Sequence, residues 1–234
     1  MMAVVALGVL ASGFMVPVVR REIGARLGKH TVEERLRALD GRVRPRWNAR
    51  VTGGVQSVSR VTLVVLKHER ELRVYTASGD GPSTLTATYP VLAASGTTGP
   101  KIREGDGQVP EGTYRVSFLN PNSRFHLSLR VDYPNAADFD AARCDGRGAR
   151  TLGGDIMIHG GAKSIGCVAI GDPAIEEVFW LVGTVGIERT EVILSPGAVP
   201  AKHMKPDAPA WLRDRYARIS EQIRALGIGV SGGG

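Results

Sequence analysis

The sequence predicts a mainly β domain with flanking helices. Thirty glycines in 234 residues, set against only 6% aromatics, favour tight turns and short strands over long packed helices. From Val61 onward apolar residues come in short runs or alternate with polar ones, and helical signatures are confined to three segments. At 43% hydrophobic and 23% charged, the chain can bury one ordinary core plus a tail, which excludes collagenous, coiled-coil and disordered readings.

Met1 to Val19 carry no charged side chain and are long enough to insert in a bilayer, so residues 1–19 read as a signal peptide or membrane anchor. Ala11-Ser12-Gly13 offers small residues to a signal peptidase, yet no basic stretch precedes the apolar run. Arg20, Arg21, Arg26 and Lys29 follow it instead, an order that by the positive-inside rule retains the body in the cytoplasm. Phe14 stands where a lipoprotein needs cysteine. Residues 20 to 50 hold ten Arg or Lys against four Asp or Glu, so +6 of the formal +7 lies there. Residues 20–59 therefore read as a basic helical arm and linker, solvated beside the membrane. No zinc-finger or RNA-recognition signature accompanies the charge, and no nucleic-acid partner is expected.

Within that arm Thr31-Val-Glu-Glu34 has the form of a capping box, and Leu36 and Leu39 continue a short helix to Gly41, with a linker from Arg42 to Ser59. VTLVVL from Val61, a turn at Lys67 to Arg70 and then ELRVY predict a hairpin. Thr84 to Val91 and Thr113 to Phe118 are further strands, separated by the loop GTTGPKIREGDGQVPEG. In Arg124 to Tyr133 the odd positions are apolar and Arg124, His126, Ser128, Arg130 and Asp132 alternate with them, which predicts a strand with one packed and one polar face. Pro134 to Gly154 reads as a long loop leading to a short buried strand at Asp155 to Ile158. Asp172 as N-cap and Pro173 at the first helical position start a helix that should end near Gly183. Glu191 to Leu194 is one more strand. Ala208 to Leu226 is a terminal helix with Trp211, Leu212, Tyr216, Ile219, Ile223 and Leu226 on its apolar side, followed by a frayed Gly-rich tail.

The chemistry-bearing stretch is Ile158 to Asp172. His159 and Cys167 stand eight residues apart across a Gly-rich turn that lets an imidazole reach a sulfur, the arrangement a thiolate nucleophile needs from a general base. Gly166 before Cys167 removes bulk where a carbonyl would approach and leaves backbone N–H groups free to stabilise an oxyanion. The implied chemistry is acyl transfer. From spacing alone a buried, inert cysteine is an equal reading. Two cysteines are too few for a disulfide scaffold and lack the spacing of a zinc site, so no metal is expected.

HGG followed by SIGC resembles the His-Gly and Ser-X-Gly-Cys signature of L,D-transpeptidase (YkuD-like) catalytic domains. GDGQVPEGTYRV is similar to the family's Thr-Pro-Glu-Gly-X-Tyr stretch, and NPNSRFHLSLRVDYPN with SIGCVAIGD resembles its YafK-like branch. The likeness runs from about Val61 to Ser195 plus the terminal helix. It implies an L,D-transpeptidase-like β-sandwich at residues 60–196, preceded by the N-terminal hydrophobic segment and followed at 197–234 by the C-terminal helix and tail.

By that resemblance Cys167 is the nucleophile and His159 the acid/base, with Gly160, Ser164, Ile165 and Gly166 forming the turn and oxyanion region. Ile165 and Ala169 depart from the commoner pattern, which has His and then Arg or Asn, and Gly160 replaces a hydroxyl residue. Substrate contacts are therefore expected elsewhere, with Arg124, His126 and Arg130 as candidates. The resemblance implies attack on the third, diamino residue of a peptidoglycan stem peptide, through a thioester resolved by an amine acceptor or by water, without a cofactor. Hydrolytic release of a D-amino acid or of wall-attached protein stays open, and such substrates imply export to the periplasm or cell envelope. The competing readings are a non-catalytic wall-binding module and a structural Cys144 to Cys167 disulfide.

Overall fold

The structure, a computed structural model, describes residues 29–229. The apolar segment 1–19, the arm up to residue 28 and the end of the tail lie outside them. Among the described residues no helix is long and apolar enough to cross a membrane.

Nine strands are present among the described residues: β1 (Arg60–Leu66), β2 (Glu71–Ala77), β3 (Thr84–Pro90), β4 (Ala93–Ala94), β5 (Gly112–Ser123), β6 (His126–Val131), β7 (Met157–His159), β8 (Val168–Ala169) and β9 (Thr190–Ser195). They form one mixed, hydrogen-bonded series in the order β3-β2-β1-β9-β5-β6-β7-β8-β4. The predicted hairpin is β1 against β2, in register from Arg60 opposite Ala77 to Leu66 opposite Glu71. The long strand β5 joins the two halves, because Gly112 to Arg115 pair with β9 while Val116 onward pair with β6. It outruns the expected end at Phe118 because β6 continues to supply partners up to Ser123 opposite His126.

Among the described residues four helices flank the strands: α1 (Val32–Arg50), α2 (Ala136–Cys144), α3 (Asp172–Val185) and α4 (Ala210–Ala225). Strand alternation sorts the core into two layers. Val61, Leu63 and Val65 of β1 join the main cluster with α1 and α3, whereas Val64 and Leu66 meet Leu212, Tyr216, Ile219 and Ile223 of α4 on the opposite side. The terminal helix thus buries the apolar side its sequence predicts.

Three expectations are corrected. Thr31 and Glu34 do form the capping box, but α1 does not stop at Gly41; it continues through Pro45 to Arg50. Leu39, Val43 and Trp47, four residues apart, are buried in the core, and Trp47 Nε1 donates to the Glu177 carbonyl at 3.1 Å. Gly41 and Pro45 fall on the exposed side, where burial of that stripe outweighs propensity costs of about 1 and 3 kcal/mol. Cations of this segment are paired while staying partly exposed to solvent. Arg42 forks onto Glu176, and Arg46 and Arg50 bind Glu177, at 2.5–2.8 Å.

The expected loop after Pro134 contains α2, capped by Asn135, whose side chain accepts from Ala137 and Asp138 while Asp138 accepts from Asn135 N–H. Its buried apolar residues are alanines, too small to write a visible stripe. Finally, the N-cap of α3 is Gly171 rather than Asp172, whose carboxylate is used elsewhere.

Burial alone would raise the Glu177 pKa, but hydrogen bonds from Tyr89, Arg50 and Arg46 outweigh it and hold the carboxyl below its ordinary value. A depressed carboxylate adds stability above its unfolded pKa and loses it as pH falls through the folded one. Glu177→Gln should therefore lower unfolding free energy by about 2 kcal/mol at pH 7. The gap to wild type should narrow below about pH 4.5. Urea unfolding at pH 7 and pH 3 measures both; an equal gap at the two pH values refutes the clasp.

Candidate active site

β8 lies between β7 and β4. It runs parallel to β7, with His159 opposite Ala169, and antiparallel to β4, with Ala94 opposite Val168. Cys167, at the head of β8, therefore sits between the strand that ends in His159 and the segment that leaves β4 at Ser95. The eight-residue excursion from His159 to Cys167 is spanned by this pairing, which puts the two on adjacent strands with Cys167 one residue before the Val168 that opposes Ile158.

His159 is buried, and its Nδ1 lies 2.6 Å from the Gly160 carbonyl. A carbonyl can only accept, so Nδ1 carries the proton and Nε2 keeps the lone pair of a general base. Phe125 stacks on the ring at 4.5 Å. Burial pushes the imidazole pKa down, partly offset by the Gly160 carbonyl. Cys167 is half-buried, with Sγ 3.6 Å from the Asp155 carbonyl. Burial pushes its thiol pKa up; the Met157 N–H opposes this, the Asp155 charge reinforces it and the Lys101 charge opposes it. Both shifts favour a resting pair of neutral thiol and neutral imidazole over a thiolate–imidazolium pair.

Ser164 clamps the Cys167 backbone: its Oγ accepts the Cys167 N–H at 2.9 Å and donates to the Cys167 carbonyl at 2.5 Å. Gly166 adopts φ +84°, a left-handed conformation that a side chain would strain. Its N–H donates to the hydroxyl of Ser95, 71 residues away in sequence. The free N–H groups expected of this turn are thus both engaged by serine oxygens, as buried donors generally are. Any oxyanion bound here competes with Ser95 and Ser164 for those donors.

Gly160 likewise has a packing role. Its N–H donates to the Leu127 carbonyl. A Cβ there would stand 2.5 Å from Asp172 Oδ1 and 2.6 Å from the Phe125 carbonyl oxygen. Asp172 Oδ1 accepts the Gly161 N–H at 2.8 Å and so ties the turn after His159 to the start of α3. Ile165, 90% exposed, is the tip of the turn.

The three strand candidates separate. Arg124 is exposed at the β5–β6 turn. His126 binds Glu176 at 2.8 Å and belongs to the clasp between α1 and α3. Arg130 pairs at 3.1 Å with Asp155, whose carbonyl accepts the thiol, so it alone reaches the reactive pair through a shared neighbour. Sequence reasoning missed Ser95 and Asp155, counted Phe125 only as apolar and Asp172 only as a cap. Their parts are set by pairing between distant segments, for which no local signal exists. Cys144 is an exposed free thiol and Cys167 is also free.

A nucleophile candidate and a correctly tautomerised base, held by HGG and SIGC turns, are the features on which comparison turns. Residues 59–194 match the YkuD L,D-transpeptidase catalytic domain. The chain belongs to that family. The matched span opens just before β1 and ends within β9, so α1 and α4 lie outside it although both pack on the same cores. An Escherichia coli K12 protein named "Putative L,D-transpeptidase YafK" is 37% identical over 166 residues, covering 69% of this chain and 64% of the relative. The chain thus matches a little under two thirds of that relative's length. Among solved structures, the Campylobacter jejuni helical cell shape determining protein Pgp2 shares 21% identity over 76% of this chain and 59% of its own, with a TM-score of 0.47. Mycobacterium tuberculosis L,D-transpeptidase 1 shares 12% over 58% and 61%, with a TM-score of 0.33.

Alkylation of Cys167 by iodoacetamide, followed by peptide mass spectrometry, should be slow at pH 7 and accelerate through pH 9, since thiolate forms only as pH approaches a raised pKa. A rate already level below pH 7 would establish an ion pair instead. Gly160→Ala should lower stability by about 1–3 kcal/mol through overpacking. An unchanged melting temperature would show that the turn yields.

Proposed function

We propose that this chain performs cysteine-dependent acyl transfer on peptidoglycan stem peptides. The observation that supports the reading is that the β7–β8 pairing sets Cys167 at the head of the strand next to that of a buried His159, whose Nδ1 is committed to the Gly160 carbonyl. In this mechanism His159 Nε2 takes the proton from Cys167 Sγ as sulfur attacks the carbonyl carbon of the third stem residue. The tetrahedral centre collapses, the C–N bond breaks and His159 returns the proton to the leaving amine. The thioester is then attacked by an amine acceptor or by water; His159 takes the proton of the attacking group, and sulfur leaves and recovers it. An amine makes a cross-link or attaches a protein, whereas water makes the enzyme an endopeptidase or carboxypeptidase.

Because burial shifts both groups toward their neutral forms, the site suits a concerted proton transfer better than a standing thiolate, which protects the sulfur from adventitious oxidation in an envelope compartment. The same substrate assigns the protein to the cell envelope, with residues 1–19 as export signal or anchor.

Cys167→Ala and His159→Ala should each reduce turnover of a defined tetrapeptide muropeptide by at least about 10³-fold with unchanged circular dichroism. A carbapenem should acylate Cys167 and leave Cys144 unmodified. Substantial turnover by Cys167→Ala, or label on Cys144 alone, removes the assignment; catalytically silent wild-type protein that still binds stem peptides makes it a wall-binding module. Products formed with and without an amine acceptor separate transfer from hydrolysis. A periplasm-only reporter fused after residue 60 should be active, and activity confined to a cytoplasmic reporter contradicts export.

A further inference from the structure

Beside the reactive strands lies a cavity of about 310 Å³, bounded on one side by Ala94 to Thr98 and on the other by Lys67, His68 and Arg70. Ser95 belongs both to this cavity and to the nucleophile's turn, since its Oγ accepts the Gly166 N–H. Pairing of Ala94 with Val168 fixes that wall one strand away from Cys167. The cavity therefore adjoins the place where a scissile carbonyl must sit.

Its chemistry is one-sided. No Asp or Glu lines it, while His68 and Arg70 are exposed along one wall and hydroxyls of Ser95, Thr97 and Thr98 stand along the other. Lys67 is not available to a ligand: its ammonium is buried against Glu111 at 2.9 Å and donates to the Gly99 and Val109 carbonyls. Arg70 differs. Nε and Nη2 donate to the neutral carbonyls of Val91 and Leu92, which orient the guanidinium without cancelling its charge and leave Nη1 uncommitted by these bonds. The adjacent acids are turned away, Glu69 to the Ala198 N–H and Glu71 to Arg73. The Ser95 hydroxyl, already accepting one hydrogen bond, retains its own proton to donate. A fixed cation beside the spare Ser95 hydroxyl donor matches a carboxylate; the Thr97 hydroxyl already donates to the Thr98 carbonyl.

We propose that this cavity is the subsite that receives a carboxylate of the stem peptide, with Arg70 supplying the charge and Ser95 linking the bound group to the nucleophile's turn. The proposal rests on the acyl-transfer reading above. The carboxylate is either the one that ends the peptide or one borne by the diamino residue.

The test measures kcat and KM on three tetrapeptide substrates: unmodified, amidated at the terminal carboxyl, and amidated at the diamino-residue carboxyl. Wild-type enzyme should prefer the unmodified peptide at least tenfold in kcat/KM over one of the amides, which identifies the source. Arg70→Gln should lose that preference through KM, while Arg70→Lys keeps part of it. Because Arg70 also holds two carbonyls, Thr97→Asp on the exposed opposite wall provides a second reading: its added charge should raise KM for the carboxylate substrate and spare the matching amide. Wild-type turnover without discrimination, or equal losses on acid and amide in both variants, overturns the subsite while acyl transfer stands. Folded wild-type protein inert on all three peptides overturns both.

Discussion

Burial of α3 is the constraint on which the rest of the molecule depends. Ten of its fourteen residues are buried, among them Ile175, Val178, Phe179, Trp180, Leu181 and Val182, each contributing about 1.5–3 kcal/mol when removed from water. A helix held this firmly can act as a jig. Its first residue, Asp172, ties down the turn after His159. One turn later Glu176 and Glu177 collect Arg42, Arg46, Arg50, His126 and Tyr89 and so fasten α1 over the core. The turn after His159 and helix α1 are positioned from the same few residues.

A second polar centre does the same for the opposite side. Glu111, fully buried in the Pro-Glu-Gly stretch, accepts from the Gly99 N–H, from Lys67 and from Tyr216 of α4. Arg215 of that helix joins Asp138 of α2 and the Glu111 carbonyl. The loop from Gly96 to Gly112 is thereby pinned at its base, and the wall of the cavity beside Cys167 is held relative to the sheet. Each ion is paired and hydrogen-bonded, the condition under which charge can be buried at all.

Much of this was legible in the amino acids. The hairpin, the alternating strand β6, the helix opening around Asp172-Pro173 and the amphipathic terminal helix announce themselves because period and turn chemistry are local properties. That His159 and Cys167 fall on adjacent strands was legible for a related reason: a short glycine-rich excursion between two strand segments has few ways to close. What stayed hidden depends on surfaces meeting at a distance. The continuation of α1 past Gly41 and Pro45 follows from a groove over α3 that accepts Trp47, and no property of residues 41–50 alone reveals that groove. Helix α2 escaped notice because alanines bury without leaving a stripe.

The amino-acid order by itself determined a β-rich domain, its first hairpin and terminal helix, and a thiol and imidazole set on neighbouring strands across a glycine-rich turn. These are consequences of spacing, and spacing is written in the chain. Only the tertiary structure decided that burial shifts both groups toward their neutral forms, that the turn at Cys167 is clamped by Ser164 and Ser95, and that the basic segment is paired with α3 as a clasp. Those outcomes turn on burial and on the direction of single hydrogen bonds between residues far apart in sequence. Such quantities exist only after the core has closed.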